Sequence, residues 1–510
     1  MADRIFTSTA GEMTLNRLRA ATRLEFAASA RLALCLSLKH DGKDVLPSPD
    51  FAGKEIRRRS LFGGDEVLYR SLLQTTYGRT FESEDEFISN KSVAKDHVDN
   101  GLALMQQAFD ECDQDTTAFL RWLTAQAQLG VGVDFIRGIP RLEILVGRRP
   151  PKADPVILHL NNTQRHANFH VAMMGKPGVG KTQLLLKMLA DIREQSGFRT
   201  NFILFDYKGD VAANERFREV AQATSFRLPT QQLPINPFVL EEYSSDQIRI
   251  SAREKAESFA SAGPRFGPVQ KGSLNQAILR AYDRRSKEQL KFPDFREVFE
   301  IVHDQYEQNG KKDDTLIEML RDFANFHLFW EHGTGSRLIE RLTERTFIVD
   351  LHELPVLKEL VAYLVIERLY KEVSALPDSQ IEDGLRFIRT VLVIDEAHNY
   401  LPQKNLFLQR IVREGRSKGV AVFLASQSPS DYLQKFFNFR ELLEFSLIFQ
   451  CDGMSAAGVR ELLGCSQRRA NAILQEISRL KPFDVITKPL QGERDRTLFH
   501  AEPFFEAYGS

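Results

Sequence analysis

The chain has 510 residues, 43% of them hydrophobic and 27% charged, and its 68 basic and 69 acidic side chains give a formal net charge of −1. This composition is typical of a globular protein with more than one core, and it excludes binding of nucleic acid through overall positive charge. The four cysteines are far apart and form no C-x-x-C pair, which argues against a zinc site or a disulfide framework.

Two further absences bear on location. No run approaches the roughly 18 apolar residues needed to cross a bilayer. The start, MADRIFTSTAGEM, lacks the basic and apolar regions of a signal peptide. We therefore expect a cytoplasmic protein that does not contact a membrane.

The first quarter of the chain has apolar residues at helical spacing, in LNRLRAATRLEFAASARLALCLSLK (15–39) and DNGLALMQQAF (99–109). We predict an all-α domain over residues 1–128. The proline cluster RRPPKADP (148–155) and the glycines before it predict a connector over residues 129–155.

From residue 156 to 510, short apolar runs alternate with longer amphipathic stretches. Runs of this length without alternation predict a parallel sheet that is buried on both faces, and hence an α/β domain. The predicted strands are residues 169–174, 202–206, 346–350, 390–395, 420–426 and 445–450. Residues from about 245 to 340 interrupt this alternation and predict a helical insertion.

The stretch GKPGVGKT fits the phosphate-binding pattern G-x-x-x-x-G-K-[ST] without mismatch, between a predicted strand and a predicted helix. Glycines let backbone N–H groups surround phosphate oxygens, a lysine supplies positive charge, and a threonine hydroxyl binds Mg²⁺. The predicted nucleotide-binding residues are Gly175, Lys176, Pro177, Gly178, Val179, Gly180, Lys181, Thr182 and Gln183.

A second motif, VLVIDEAH (391–398), is an apolar strand followed by two carboxylates. Asp395 is predicted to hold Mg²⁺ and Glu396 to orient or deprotonate the attacking water. Either carboxylate alone also fits an acidic helix N-terminus, but the pair together with the phosphate-binding loop favours the metal site.

Three polar residues follow in FLQRIVREGRSKGVAVFLASQSPSD (407–431). Gln427 ends the next predicted strand, where an amide can sense a γ-phosphate. Arg413 and Arg416 precede that strand, and in a ring their guanidinium groups are candidates to reach a neighbouring nucleotide. The alternative for each arginine is a solvated helix face.

A predicted strand between the two nucleotide motifs, with a glutamate beside the magnesium aspartate, is the RecA-like arrangement. The motifs resemble those of HerA, in the HerA and FtsK branch of P-loop DNA-translocating ATPases. The matching stretches are GKPGVGKT, FDYKGD (205–210), LPINPF (233–238), VLVIDEAHNYL (391–401) and REGRSKGVAVFLASQSPSD (413–431).

The resemblance implies a homohexameric ring that threads double-stranded DNA and often drives a separate nuclease or other effector. By motif position, it implies that Asp206 and Asp210 flank the nucleotide, that Asp395 and Glu396 are the Walker B pair, and that Gln427 is the sensor. Arg413 or Arg416 is the implied arginine finger. HerA proteins typically begin with a β-barrel that docks the nuclease, whereas this chain begins with helices, which leaves the partner and its docking site open.

The first 128 residues instead resemble DndE, a small helical protein of DNA phosphorothioate modification systems, in residues 15–39 and in RRRSLFGGDEVLYRSLL (57–73). That resemblance implies oligomerisation and a DNA-binding basic surface, with Lys54, Arg57, Arg58 and Arg59 as phosphate contacts. The alternatives are an unrelated helical oligomerisation module and a solvated charge run.

The resulting hypothesis is a Mg²⁺-dependent ATPase that forms a hexameric ring, translocates or remodels double-stranded DNA, and drives a separate nuclease or effector in prokaryotic anti-phage defence. One alternative is an ATP-dependent scaffold ring that assembles and activates an effector enzyme. Another is an accessory of phosphorothioate modification or restriction. No second catalytic constellation is evident in the sequence, so we do not expect the chain alone to cleave DNA.

Overall fold

The computed structural model describes residues 3–112, 114–128, 138–262, 266–287, 292–332, 339, 341–354, 356–490 and 496–509. The chain divides into two compact units, residues 1–136 and 137–510. Residues 129–137 of the predicted connector lie outside the described residues. The domain boundaries given above stay predictions, and each unit is described by itself.

The first unit is built mainly from helices around one apolar core. Its described helices are α1 (Thr9–Thr22), α2 (Phe26–His40), α3 (Arg58–Phe62), α4 (Glu66–Tyr77), α5 (Glu84–Phe87), α6 (Val93–Glu111) and α7 (Thr116–Gln128). The long helices α2 and α6 pack so closely that a Cβ on Gly101 would lie 1.8 Å from the carbonyl oxygen of Ala33, and only glycine fits there. Serine caps α1 and α6, where Ser8 and Ser92 accept hydrogen bonds from the first turn.

The prediction of an all-α unit is wrong in one detail. Two short strands, β1 (Arg4–Phe6) and β2 (Glu55–Arg57), pair antiparallel, with Ile5 opposite Ile56. Both isoleucines are buried in the helical core. Three-residue strands contain too few residues to produce a recognisable alternation of apolar and polar side chains, so the sequence pattern did not predict them.

The second unit contains the other fifteen described strands. They are β3 (Glu143–Arg149), β4 (Asp154–His159), β5 (Val171–Met174), β6 (Asn201–Asp206), β7 (Thr224–Arg227), β8 (Phe347–Asp350), β9 (Ile381–Glu382), β10 (Leu385–Arg386), β11 (Thr390–Ile394), β12 (Val420–Ser426), β13 (Leu433–Gln434), β14 (Phe437–Asn438), β15 (Phe445–Ile448), β16 (Asp484–Thr487) and β17 (Thr497–Ala501).

Its described α-helices lie on both faces of the sheet. They are α8 (Lys181–Gln195), α9 (Asp210–Ala213), α10 (Glu215–Ala221), α11 (Ser245–Ala262), α12 (Pro268–Lys287), α13 (Phe295–Gln308), α14 (Thr315–Asn325), α15 (Lys358–Ala375), α16 (Leu406–Glu414), α17 (Ala456–Leu463), α18 (Gln467–Ile477) and α19 (Phe504–Tyr508). Helices α11 to α14 lie between β7 and β8 in the chain. Among the described helices, none is both long enough and apolar enough to span a bilayer.

Eleven of the described strands form one sheet in the order β4-β3-β17-β16-β15-β5-β12-β11-β6-β8-β7. The strands from β15 to β7 run parallel, and β16, β17, β3 and β4 continue the sheet antiparallel. All six predicted strands are present in the parallel part. The RecA-like α/β fold is therefore confirmed, with helices over a large and mostly parallel sheet.

The strand that separates the two nucleotide motifs in the sheet is β12, which pairs with β5 on one side and β11 on the other. Along the chain, β6, β7 and β8 all come between those motifs, and β8 lies farther out in the sheet, beyond β6. Because parallel strands are joined by crossovers, order along the chain does not determine order in the sheet.

Residues that were predicted to belong to the connector instead form β3 and the start of β4, a hairpin at one end of the sheet. Pro150 and Pro151 lie in the turn between the two strands. Buried residues are interspersed with exposed or half-buried ones along these strands, so they lack the continuous apolar run that identified the central strands.

Candidate functional site

The phosphate-binding loop connects β5, which ends at Met174, to α8, which begins at Lys181. Gly180 has φ of +103°, and a Cβ there would lie 2.5 Å from the ring of Phe483, so only glycine fits without strain. The N–H of Phe483 donates to the carbonyl of Val179 at 2.9 Å. Glycine is thus required both by the turn into the helix and by the close approach of another segment.

Lys181 lies over the loop and is buried. Its Nζ donates to the carbonyl oxygens of Gly175 at 2.6 Å and Lys176 at 2.9 Å. Burial lowers the pKa of Lys181, and the nearby carboxylates of Glu396 and Asp395 act in the opposite direction. The ammonium group is therefore held at the loop, and its charge is balanced by the acidic pair.

The other predicted loop residues differ in their exposure and contacts. Lys176 forms an ion pair with Asp452 at 2.8 Å, and Val179 is buried. Pro177 and Gly178 are exposed at the tip, and Gln183 continues α8.

The acidic pair follows β11 directly and meets α8. Thr182 Oγ1 donates to Asp395 Oδ2 at 3.1 Å, and the N–H of Glu396 donates to Asp395 Oδ1 at 2.9 Å. Burial first, and the charge of Glu396 second, raise the pKa of Asp395 to about 6. Hydroxyl and carboxylate oxygens gathered in this way suit a hard divalent cation such as Mg²⁺.

Glu396 has a left-handed backbone conformation, with φ of +55°, which is uncommon for a residue other than glycine and is typical of functional sites. Gln427 Nε2 donates to its Oε2 at 3.0 Å, and His398 Nδ1 lies 3.2 Å from the same oxygen. Its other oxygen forms an ion pair with Lys208. Burial raises the pKa of Glu396, but the hydrogen bonds from Lys208 and Gln427 outweigh burial and leave that pKa below its ordinary value.

The two aspartates of FDYKGD have different surroundings. The carboxylate of Asp206 is buried and accepts hydrogen bonds from the N–H groups of Lys208, Gly209 and Ala212, at 3.1, 2.8 and 2.8 Å. Asp210 is exposed at the start of α9. The structure thus uses Asp206 to hold the turn after β6.

Lys208 was not among the predicted site residues, although it belongs to the motif FDYKGD (205–210). Because β6 and β11 are parallel neighbours, with Phe205 opposite Ile394, residues just after each strand emerge at the same edge of the sheet. Lys208 and Glu396 each lie two residues after the end of their strand. Once the strand order is known, these matching positions after neighbouring strands identify the pair.

The structure does not bring Arg413 and Arg416 to this edge. Both precede the amino end of β12, whereas Gln427 follows its carboxyl end. Arg413 is exposed, with its guanidinium carbon 4.8 Å from the centre of the Phe437 ring, and Arg416 is half-buried. Within one chain, neither arginine contacts the acidic pair.

The four basic residues predicted to contact DNA have different surroundings in the helical unit. Lys54 Nζ lies 4.5 Å from the centre of the Phe26 ring. Arg57 and Arg59 are exposed. The side chain of Arg58 is 18% exposed and forms ion pairs with Glu66 and Glu84. Arg58 is therefore held within the unit by two glutamates, whereas the Arg57 side chain is 78% exposed and only approaches Glu55, at 3.9 Å.

Comparison with known proteins now adds to this geometry. Residues 145–373 match the family model described as the central domain of helicase HerA. The second unit is thus HerA-like over this range, and its two nucleotide motifs are those of a P-loop ATPase. Residues 4–112 of the same chain match the family model of the DNA sulphur modification protein DndE, so the helical unit is DndE-like. Both resemblances noted in the sequence are confirmed.

Two solved structures are similar to this chain, and the first of them supports the fold of the HerA-like unit. VirB4 of Thermoanaerobacter pseudethanolicus has a TM-score of 0.53 at 16% identity, over 70% of this chain and 96% of that chain. The plasmid coupling protein TrwB in complex with ADP and Mg²⁺ has a TM-score of 0.45 at 13% identity, over 72% of this chain and 96% of that chain. No curated protein sequence matches this chain.

Proposed function

We propose that the chain binds ATP with Mg²⁺ and uses its hydrolysis to translocate or remodel double-stranded DNA as a homo-oligomeric ring, a hexamer by analogy with HerA. The observation that carries the ATP site is the meeting of Thr182, Asp395 and Glu396 beside the phosphate-binding loop. The match to HerA supports the DNA substrate and the ring.

In this proposal each residue at the sheet edge has a distinct task. Lys181 would hold the β- and γ-phosphates, and Thr182 and Asp395 would hold Mg²⁺. When bound, Mg²⁺ supplies positive charge that neutralises the phosphates. Glu396 accepts a proton from the attacking water, and Gln427, bonded to Glu396, links that carboxylate to the end of β12.

Arg413 and Arg416 fit a role in trans, because neither contacts the acidic pair of its own chain. In a ring, a guanidinium group from one chain would stabilise charge at the nucleotide of its neighbour. We further propose that the ring drives a separate nuclease or other effector in prokaryotic anti-phage defence.

Steady-state ATP hydrolysis with and without double-stranded DNA tests the proposal, together with a mass measurement of the assembly. DNA-stimulated hydrolysis by a hexamer, lost in Lys181→Ala, is the expected result. Lys418→Ala is the matched control, because Lys418 pairs with Asp378 at the opposite edge of the sheet. Hydrolysis that is indifferent to DNA would contradict translocation and favour the scaffold ring.

The DndE-like unit favours a second candidate, recruitment to sulfur-modified DNA, because its family model is that of a DNA sulphur modification protein. The test is competition binding of the full chain to a phosphorothioate duplex and to an unmodified duplex of the same sequence. At least about tenfold tighter binding of the modified duplex, or about 1.4 kcal/mol, would support recruitment. Equal affinities would rule it out.

A further inference from the structure

Beside the residues assigned above, one cation contacts Glu396 and has no role in the proposed function. Lys208 extends from the turn after β6, and its Nζ forms an ion pair with Glu396 Oε1. About half of the Lys208 side chain is exposed, whereas only 4% of the Glu396 side chain is. A buried carboxylate is costly unless it is paired, so this contact matters more to Glu396 than to Lys208.

The turn that carries Lys208 is held from two sides. Asp206 accepts hydrogen bonds from three N–H groups of the turn, including that of Lys208 itself. Gly209 has φ of +85°, and a Cβ there would lie 2.8 Å from Nδ1 of His352. With its backbone fixed in this way, Lys208 approaches Glu396 from a defined direction.

Glu396 is bracketed from the other side by Gln427, which donates to Oε2 while Lys208 binds Oε1. The two oxygens of the carboxylate are thus held by residues from the strands on either side of β11. The left-handed backbone of Glu396 is a conformation that persists only where surrounding contacts hold it, and these two hydrogen bonds are such contacts.

Other cations near Glu396 are placed differently. Lys181 donates to the carbonyls of the phosphate-binding loop, and His398 lies on the Gln427 side of the carboxylate. Among the described residues, the lysine that hydrogen-bonds Glu396 is Lys208.

We propose that Lys208 is a positioning residue of the ATPase, which holds the carboxylate of Glu396 in the orientation needed to take a proton from water. This rests on the proposed role of Glu396 as the base. Asp206 contributes indirectly, by fixing the turn from which Lys208 extends. The chemical step itself is unchanged, since Lys208 neither gives nor accepts a proton in it.

The first test compares Lys208→Met and Lys208→Arg by steady-state ATP hydrolysis. Loss of the cation is expected to lower kcat at least about tenfold, with KM for ATP within about threefold of wild type. Arginine restores a positive charge and is expected to recover kcat to within about threefold of wild type. Lys418→Met, which removes a lysine from an ion pair at the opposite edge of the sheet, is expected to leave both constants unchanged.

The second test uses nucleotide-free protein and a double-mutant cycle in thermal unfolding. Lys208→Met is expected to lower the Tm of the HerA-like unit by about 2 °C, because it removes the cation of the ion pair with the buried carboxylate of Glu396. In a Glu396→Gln background, the same substitution is expected to shift Tm by less than about 0.5 °C.

Equal Tm shifts in the two backgrounds, or a kcat for Lys208→Met equal to that of wild type, would overturn the proposal. A rise in KM with unchanged kcat would also overturn it, by assigning Lys208 to nucleotide binding. If the wild-type protein hydrolyses no ATP, that result would contradict the proposed function instead. The thermal cycle would then still decide whether Lys208 holds Glu396.

Discussion

In the HerA-like unit, charged side chains from three distant stretches of the chain meet at one edge of the sheet, around Lys181, Lys208 and Glu396. In the DndE-like unit, four cations that are close in sequence go to different surroundings. Lys54 lies against Phe26, Arg58 is paired with two glutamates, and Arg57 and Arg59 face solvent.

The difference arises from how each element presents its side chains. In a parallel sheet the carboxyl ends of all strands lie at the same edge, so residues distant in sequence come together there. A run that passes from a short strand into a helix points successive side chains in different directions. A motif at the end of a parallel strand therefore predicts a site better than a run of like charges does.

The largest expected effect separates the two units by function. Glu396→Gln removes the proposed base and is expected to lower the rate of ATP hydrolysis by about 1000-fold. The double variant Arg57→Ala/Arg59→Ala, in the other unit, is the matched control and is expected to hydrolyse ATP without DNA at the wild-type rate. A Glu396→Gln variant with more than a third of wild-type activity would show that another group is the base.

A second prediction compares one buried histidine in each unit. His170 donates through Nε2 to the carbonyl of Val412 at 3.1 Å and accepts at Nδ1 from the N–H of Val422 at 3.0 Å. Burial lowers its pKa from 6.5 to about 4. As pH falls from 6.5 to 4, His170 becomes protonated in the unfolded chain but not in the folded chain, so up to about 3 kcal/mol of stability is lost.

His97 is also buried with a lowered pKa, but its partners are the hydroxyl groups of Ser37 and Tyr77. A hydroxyl can turn to accept from a protonated ring, whereas the N–H of Val422 cannot. We therefore expect His170→Gln to remove more of the acid sensitivity than His97→Gln. Urea unfolding against pH measures this. Trp122→Phe leaves Trp330 to report on the HerA-like unit, and Trp330→Phe leaves Trp122 to report on the DndE-like unit. An equal or larger effect at His97 would reverse this ranking.

The third prediction concerns the arginine run in the DndE-like unit. Arg58→Ala breaks ion pairs with Glu66 and Glu84 and is expected to destabilise that unit by about 1–2 kcal/mol. Arg57→Ala, which removes an exposed side chain, is expected to cost less than about 0.5 kcal/mol. Urea unfolding of Trp330→Phe variants measures both. Equal losses would mean that Arg58 does not stabilise this unit through its glutamates.

The smallest expected effect is on DNA affinity. If Arg57 and Arg59 contact phosphates, the double alanine variant is expected to weaken double-stranded DNA binding about tenfold or less. It should also reduce the slope of log affinity against log salt by about 2. Arg58→Ala serves as the comparison, with a smaller expected change of slope. An unchanged slope in the double variant would show that this run is a solvated surface.

The parts of the fold that could be predicted share one physical property. Strands buried on both faces appear as continuous apolar runs, so six of the seven strands of the parallel region were predicted from the sequence. The seventh, β7, has no fully buried residue and was missed. The hairpin β3–β4 and the pair β1–β2 were missed because they are half-buried or very short. Their positions depend on pairing partners that are distant in sequence.

The same distinction holds for the site. The sequence by itself determined the phosphate-binding loop and the Asp395–Glu396 pair, because each is a local motif whose neighbouring residues specify its chemistry. Only the tertiary structure decided that β12 separates those motifs, that Asp206 fixes a turn, that Arg58 is paired, and that Lys208 meets Glu396. The hydrogen bonds of Asp206 are local, since they reach two to six residues along the chain. The other contacts join residues about 8 to 250 positions apart, and such contacts depend on how strands and helices pack rather than on local sequence.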